Sequence, residues 1–218
     1  MAGVLHVLVT RPWPVTLTHG DVSLRPLRQR DAARWREVRR RNTDWLQPWE
    51  ATLPPQAAHD ADMVPTFGAM VRRLRREARE LRTLPWALTY QNRLVGQVTV
   101  GGIAWGSARS AHVGYWIDSA VAGRGIMPIA VAMALDYCLD ALHLHRVEVS
   151  IRPENASSLR VADKLGLRRE GDRPAFLHID GDWRDHVIFV ADSVADSAVG
   201  SGTKVDGYLD RLTGQRPT

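Results

Sequence analysis

The stretch from Val113 to Met127, VGYWIDSAVAGRGIM, constrains this chain more than any other. Val113 to Ile117 is a short β-branched and aromatic run, the composition of a strand. A brief loop leads to Gly123-Arg124-Gly125. Ile126 to Leu142 follows as an Ala-, Leu-, Val- and Met-rich segment that reads as a buried helix. Pro128 falls in its first turn, where a missing N–H does no harm. A strand that turns through glycines into a helix aims several backbone N–H groups at one point, and the helix dipole adds partial positive charge there. The pattern predicts a phosphate site. It lacks both the Gly-Lys-Ser/Thr of a Walker loop and a full GxGxxG, so neither ATP nor NAD is its natural ligand.

A chain of 218 residues suits one domain with a full core and some appendages. Residues 1–20, with Pro12 and Pro14, read as an irregular N-terminal arm, and 21–192 as the folded domain. From 193 to 218 the composition shifts to Ala, Asp, Ser, Gly and Thr, which predicts a flexible appended tail. The single cysteine, Cys138, lies mid-helix. It excludes an internal disulfide, fits a reducing cytosol, and reads as a small apolar residue rather than a nucleophile. Residues 126–142 are too short for a bilayer and are punctuated by Pro128, Asp136 and Asp140, so no membrane association is expected and the location is cytoplasmic. The net charge of +5 favours an anionic ligand or partner without choosing one.

Asp21 to Leu27 alternates as a first strand. Asp31 is placed to cap a helix in which Ala32, Trp35, Val38 and Arg39 keep helical spacing to about Arg41. Pro48 breaks the segment from Asn42 to Glu50. Its Trp45, Trp49 and Glu50 serve either as packing at a helix end or as the wall of a substrate pocket. Asp60 to Arg82 predicts a helix with Met70 or Val71, Leu74, Ala78 and Leu81 on one face. Its arginines (72, 73, 75, 76, 79 and 82) read as solvated surface, because no aromatic residues interleave to stack on bases, and direct nucleic-acid binding is not expected. Leu84–Tyr90 and Leu94–Gly101 form a hairpin across Gln91-Asn92-Arg93. Arg146–Ile151 is a strand and Asn155–Leu165 a helix ending at Gly166. Phe176–Ile179 and His186–Val190 make a second hairpin across Asp180–Arg184. The fold class is α+β: a mostly antiparallel mixed sheet, helices on both faces, and one parallel right-handed strand–helix–strand unit over 113–151. No metal site is expected, since His143 and His145 lack carboxylate or cysteine companions at ligand spacing.

Taken with the glycine turn, Asn155-Ala-Ser-Ser158 and the helix after it make the chain resemble the GNAT superfamily of acetyl-CoA-dependent N-acetyltransferases. Several further features are similar to the bacterial ribosomal-protein alanine N-acetyltransferases. They are Leu46-Gln-Pro-Trp-Glu50, Gly114-Tyr115, Gly123–Met127, His145-Arg146, Asn155 with Ser158, Lys164-Leu-Gly166 and Ile179-Asp-Gly-Asp-Trp-Arg-Asp-His186, and together they span about 21–190. The resemblance implies acetyl transfer from acetyl-CoA, without metal, to an amine, with the N-terminal α-amine of a protein, possibly a ribosomal one, favoured. A small-molecule amine or a lysine is the alternative within the fold, and a non-catalytic ribosome- or RNA-associated module the alternative outside it. The chain would act as a monomer or homodimer. Residues implied to hold CoA are Tyr115, Trp116, Ile117, Ala122, Gly123, Arg124, Gly125, Ile126, Met127, Asn155 and Ser158. Trp45, Trp49, Glu50 and Tyr115 are implied to face the acceptor. Two turn positions depart from the family's pattern, with Ala122 for its Gln or Arg and Met127 for its Gly or Ala. The common general-acid tyrosine of the next helix is missing, and Ser158 stands where the subfamily has a serine.

The chemistry has three requirements. An amine attacks a thioester, forming an oxyanion, and a thiolate leaves. A backbone N–H where the Tyr115–Ile117 strand splays from its neighbour meets the first need. Ser158 can relay a proton to the thiolate. An α-amine has a pKa near 8, so an appreciable fraction is neutral at pH 7 and a base need only accept a proton. Glu50 ranks first for that role and Glu148 second; strand alternation alone does not say which face Glu148 takes. Trp183, Arg184 and Asp185 read as hairpin braces.

Overall fold

The protein is described by a computed structural model covering residues 12–57, 66–192 and 207–214. Expectations for 1–11, the start of the Asp60 helix and most of the tail lie outside the described residues. Eight strands form one sheet in the order β1-β2-β3-β4-β5-β6-β8-β7. They are β1 (Leu17–His19), β2 (Val22–Pro26), β3 (Leu84–Tyr90), β4 (Arg93–Ala104), β5 (Ser110–Ile117), β6 (Arg146–Ile151), β7 (Arg168–Ile179) and β8 (Asp182–Asp192). Only β5 and β6 run parallel. The helices are α1 (Ala32–Arg41), α2 (Thr43–Leu46), α3 (Phe67–Arg79), α4 (Ile126–Asp136), α5 (Ala156–Lys164) and α6 (Tyr208–Thr213).

The period-two rule of strands divides the core between the two sheet faces. Leu84, Trp86 and Leu88 of β3 join Val98, Val100 and Val113 in the larger cluster, which α4 completes with Ala130, Val131, Ala134 and Leu135. Ala87, between them in sequence, points the other way and joins Val38 of α1 and Phe67, Val71 and Leu74 of α3. Helix α4 is buried on nearly every side, as an all-apolar helix must be. Trp86 is fully buried, and burying a side chain of that kind stabilises by about 2–3 kcal/mol.

Four expectations need correction. The arm is not wholly irregular: β1 pairs with β2, and Trp13 packs edge-on against Trp86, whose indole donates to the Val15 carbonyl (3.1 Å). The long helix does not run to Leu142; α4 stops at Asp136 and a π-helical turn, Tyr137–Ala141, carries the chain on. The second hairpin is longer and tighter than expected, with Asp180-Gly181 alone at the turn. Finally, part of the segment read as a flexible tail is helix α6. Tyr208 is buried in the main core, with Leu209 and Leu212 packed against it.

Asp136 is what α6 docks on. Its carboxylate accepts from the N–H groups of Tyr208 (2.6 Å) and Leu209 (3.0 Å). Burial pushes this carboxyl up to about 6; those two N–H groups pull it partly back, and Asp140 and Asp210 push it further. Because the folded-state value is raised, the unfolded chain loses this proton first, so the contribution to stability is present near pH 4 and is lost as pH rises through about 6. Asp136→Asn removes the charge and keeps one acceptor. Its melting temperature should fall less than the wild type's between about pH 4 and pH 7, the difference corresponding to at most about 3 kcal/mol. Identical pH dependence in calorimetric melts of the two proteins would refute this.

Candidate active site

The site begins where two strands part. Strand β5 is paired with β6 only through Ser110, Ala111 and His112. Beyond them β5 continues to Ile117 on β4 alone, while β6 continues to Ile151 on β8. The unpaired edges open a cavity of about 630 Å³. On the other side of β5 the fit to β4 is close. A Cβ on Gly96 would lie 2.3 Å from the Trp116 carbonyl oxygen, so only glycine lets the strands approach there. A bulge in the β3–β4 pairing sits beside it.

A buried polar network then holds the end of β5 to α1. The Asp118 carboxylate pairs with Arg41 and accepts from the Asn42 amide (2.8 Å), while Asn42 Oδ1 accepts from the Ser119 N–H (2.9 Å). Burial alone would raise Asp118. Arg41, Asn42 and the Ala120 N–H outweigh it and hold the carboxyl below the usual range. The glycine turn that follows takes the shape the sequence demands. Gly123 (φ +80°) and Gly125 (φ +77°) are left-handed, and Gly125 is the N-cap of α4. In the first turn of α4 the N–H groups of Ile126 and Met127 have no helical acceptor, and Gly123, Gly125 and Met127 line the cavity.

Most of the expected donor-side residues converge here: Tyr115, Trp116, Ile117, Ala122, Gly123, Gly125, Met127, Asn155 and Ser158 all line the cavity. Two do not. Ile126 is buried in the core, and the Arg124 guanidinium turns back to the Ala120 carbonyl (3.3 Å), away from the cavity wall. Positive charge at the cavity belongs instead to Arg160 and Lys164 of α5, which are among its lining residues. Sequence reasoning missed both, although their i, i+4 spacing after Asn155 was a readable signal. Asn155 is the N-cap of α5, its side chain accepting from the Ser158 N–H (3.0 Å). The cap is therefore made without the Ser158 hydroxyl. The Tyr115 hydroxyl is buried without a hydrogen bond of normal geometry. Burial pushes this phenol up to about 12, and the neighbouring Ser158 hydroxyl offsets part of that effect.

The opposite wall is the 45–51 segment with Arg39. Trp45 donates to the Ile117 carbonyl (3.1 Å), and Trp49 lies beneath the Arg152 guanidinium, which also donates to the Pro48 carbonyl (2.7 Å). The tip of the β7–β8 hairpin clamps this loop. Asp180 N–H donates to the Glu50 carbonyl, Thr52 N–H to the His178 carbonyl, and Gly181 N–H to the Thr52 hydroxyl, all at 2.9–3.0 Å. Within the hairpin, Trp183 stacks edge-on against His178 and Asp185 accepts from the Ala175 N–H (2.8 Å), the bracing expected of them.

The two proposed bases part company. Glu50 lines the cavity, partly buried: its side chain is 41% exposed and ion-paired with Arg39. Arg39 itself lies over the rings of Trp35 and Trp116, and burial lowers its guanidinium below the ordinary value. Glu148 is not brought to the cavity. It faces away from the α4 side of β6, bound by Arg146 (2.9 Å) and Arg173 (3.0 Å). Cys138 is buried and its thiol pushed up to about 12, which leaves it inert at neutral pH. Among the described residues no cluster of three or more His, Cys, Asp or Glu forms a metal site, and no helix is long and apolar enough to cross a membrane.

Comparison with known proteins agrees with this architecture. The family model of the acetyltransferase (GNAT) domain matches residues 21–168. The ribosomal protein uS5-alanine N-acetyltransferase of Escherichia coli is 27% identical over 176 residues, 80% of this chain and 89% of that one. The probable N-acetyltransferase YjcK of Bacillus subtilis is 39% identical over 97 residues, 44% of this chain and about half (54%) of that protein. The structure of Mycobacterium smegmatis RimJ in complex with CoA-disulfide superposes with a TM-score of 0.80 at 35% identity, covering 93% of this chain and 95% of that one. The chain belongs to the GNAT family and is an acetyl-CoA-dependent N-acetyltransferase.

Gly125→Val tests the turn. A β-branched residue at φ +77° costs about 1–2 kcal/mol of backbone strain and displaces the N–H groups that face the cavity. Acetyl-CoA affinity, measured by calorimetry on folded protein, should fall at least about tenfold, or about 1.4 kcal/mol. Unchanged affinity would show that the turn does not hold the donor.

Proposed function

We propose that this enzyme acetylates the N-terminal α-amine of a protein, a ribosomal protein being the favoured acceptor, by direct attack within a ternary complex in the cytoplasm. The observation that carries the reading is a single cavity with two unlike walls. One wall holds the glycine turn, Arg160 and Lys164; the other holds the tryptophans and the Arg39–Glu50 pair. The first suits the phosphates of acetyl-CoA, by backbone N–H groups and cationic side chains. The second offers a carboxylate to an α-ammonium and aromatic surface to the residues behind it. The bacterial relatives whose names specify ribosomal-protein alanine acetylation support this choice of acceptor.

On this reading the amine loses a proton to water at Glu50 and attacks the thioester carbonyl. The free edge of β5 at Tyr115–Ile117 supplies a backbone N–H to the oxyanion. Ser158, unused by the helix cap, gives a proton to the departing sulfur. Each group acts on a different atom of the reacting centre, and all of them border one space.

Peptides discriminate the acceptor. An alanine-initiated peptide with a free N-terminus should be acetylated at that amine, as read by fragment mass spectrometry. Preferential acetylation of an N-terminally blocked, lysine-containing peptide or of a polyamine would replace the reading with one of its alternatives. Glu50→Gln should lower kcat/KM for the peptide by about 10²-fold and leave acetyl-CoA affinity intact. An unaltered pH–rate profile in that variant would assign the proton to solvent.

A further inference from the structure

The assignment of Ser158 as proton source leaves open what aims its hydrogen, and the buried hydroxyl of Tyr115 supplies an answer. That hydroxyl is enclosed, lacks a hydrogen bond of normal geometry, and belongs to a side chain that lines the cavity. Its polar neighbour is the Ser158 hydroxyl. We propose that Tyr115 is a positioning residue: it donates its phenolic hydrogen to Ser158 Oγ and thereby directs the Ser158 hydrogen toward the sulfur of the leaving thiolate.

The order of donation follows from what each hydroxyl can reach. Were Ser158 to donate to Tyr115, the phenolic hydrogen would be buried with no acceptor, and an unpaired buried donor is costly. With Tyr115 donating, its hydrogen is satisfied and the Ser158 hydrogen is the one turned into the cavity. Burial holds the phenol protonated far above neutral pH, so it acts as a fixed donor and not as a base. The Asn155 side chain caps the Ser158 N–H, so the Ser158 oxygen is not needed as the helix cap. The device also explains how the site works without a tyrosine on α5: a phenol arrives instead from β5, one step behind the serine.

The proton balance closes. As the carbon–sulfur bond breaks, the Ser158 hydrogen passes to sulfur and gives the CoA thiol. Ser158 recovers a hydrogen from cavity water, which carries the proton shed by the attacking nitrogen. Tyr115 keeps its own proton throughout.

The proposal rests on the Ser158 reading, and a double-mutant cycle separates the two. Tyr115→Phe and Ser158→Ala should each lower kcat about tenfold or more, and the double variant should be no slower than Ser158→Ala alone. Acetyl-CoA affinity by calorimetry should fall in all three by a smaller factor than kcat does. A second readout needs no turnover: the thiol of bound CoA, followed by thiolate ultraviolet absorbance, should titrate at higher pH in Tyr115→Phe than in the wild type. If Ser158→Ala leaves kcat unchanged, the Ser158 reading fails and this one with it. If Ser158→Ala is slow but Tyr115→Phe is not, or their effects multiply, or the bound thiol titrates alike, the positioning role alone is overturned.

Discussion

The parting of β5 from β6 after His112 is the constraint on which this molecule depends. A parallel pair that stayed zipped would satisfy its backbone groups and leave no room for a ligand. Here β5 stays committed to β4 and β6 to β8, so each strand leaves one edge exposed. Such an edge is a liability unless something fills it. Here the unpaired edge of β5 borders the cavity, and the helix that follows β5 begins at the same place.

What keeps the gap from closing is polar, not apolar. Asp118, Asn42 and Arg41 pin the end of β5 to α1, and the Gly96 contact seats β5 against β4. On the far wall, the β7–β8 tip grips the 47–52 loop largely through main-chain hydrogen bonds. Those bonds hold the main chain at Glu50 whatever its side chain does. The site is therefore an opening between two independently braced walls. The proposed donor and acceptor roles accordingly fall on separate elements.

How much of this was legible in the chain depended on the range of the interaction. The glycine turn, the Asn155 cap and the strand-to-helix order are local, and VGYWIDSAVAGRGIM announces them through composition and spacing. The likeness to a known family extended that local signal to the whole fold. Long-range pairings were not legible. Nothing near Glu50 in sequence says that Arg39 meets it, and nothing near Glu148 says that Arg146 and Arg173 hold it outside the cavity. Arg124 looked suited to a phosphate by position, yet its side chain serves the preceding turn. The tail misled for a related reason: Tyr208, Leu209 and Leu212 are a few apolar residues in a polar segment, and the N–H of Tyr208 is held by Asp136, far away in sequence.

On the proposed mechanism acetyl passes from donor to acceptor inside one cavity, with no acetylated protein between them. The buried Cys138 lies outside that space. Initial-velocity kinetics with acetyl-CoA and an alanine-initiated peptide tests this most directly. Intersecting double-reciprocal lines are the expected result, because both substrates must be bound together. Parallel lines, with an acetylated enzyme trapped in the absence of peptide, would contradict it.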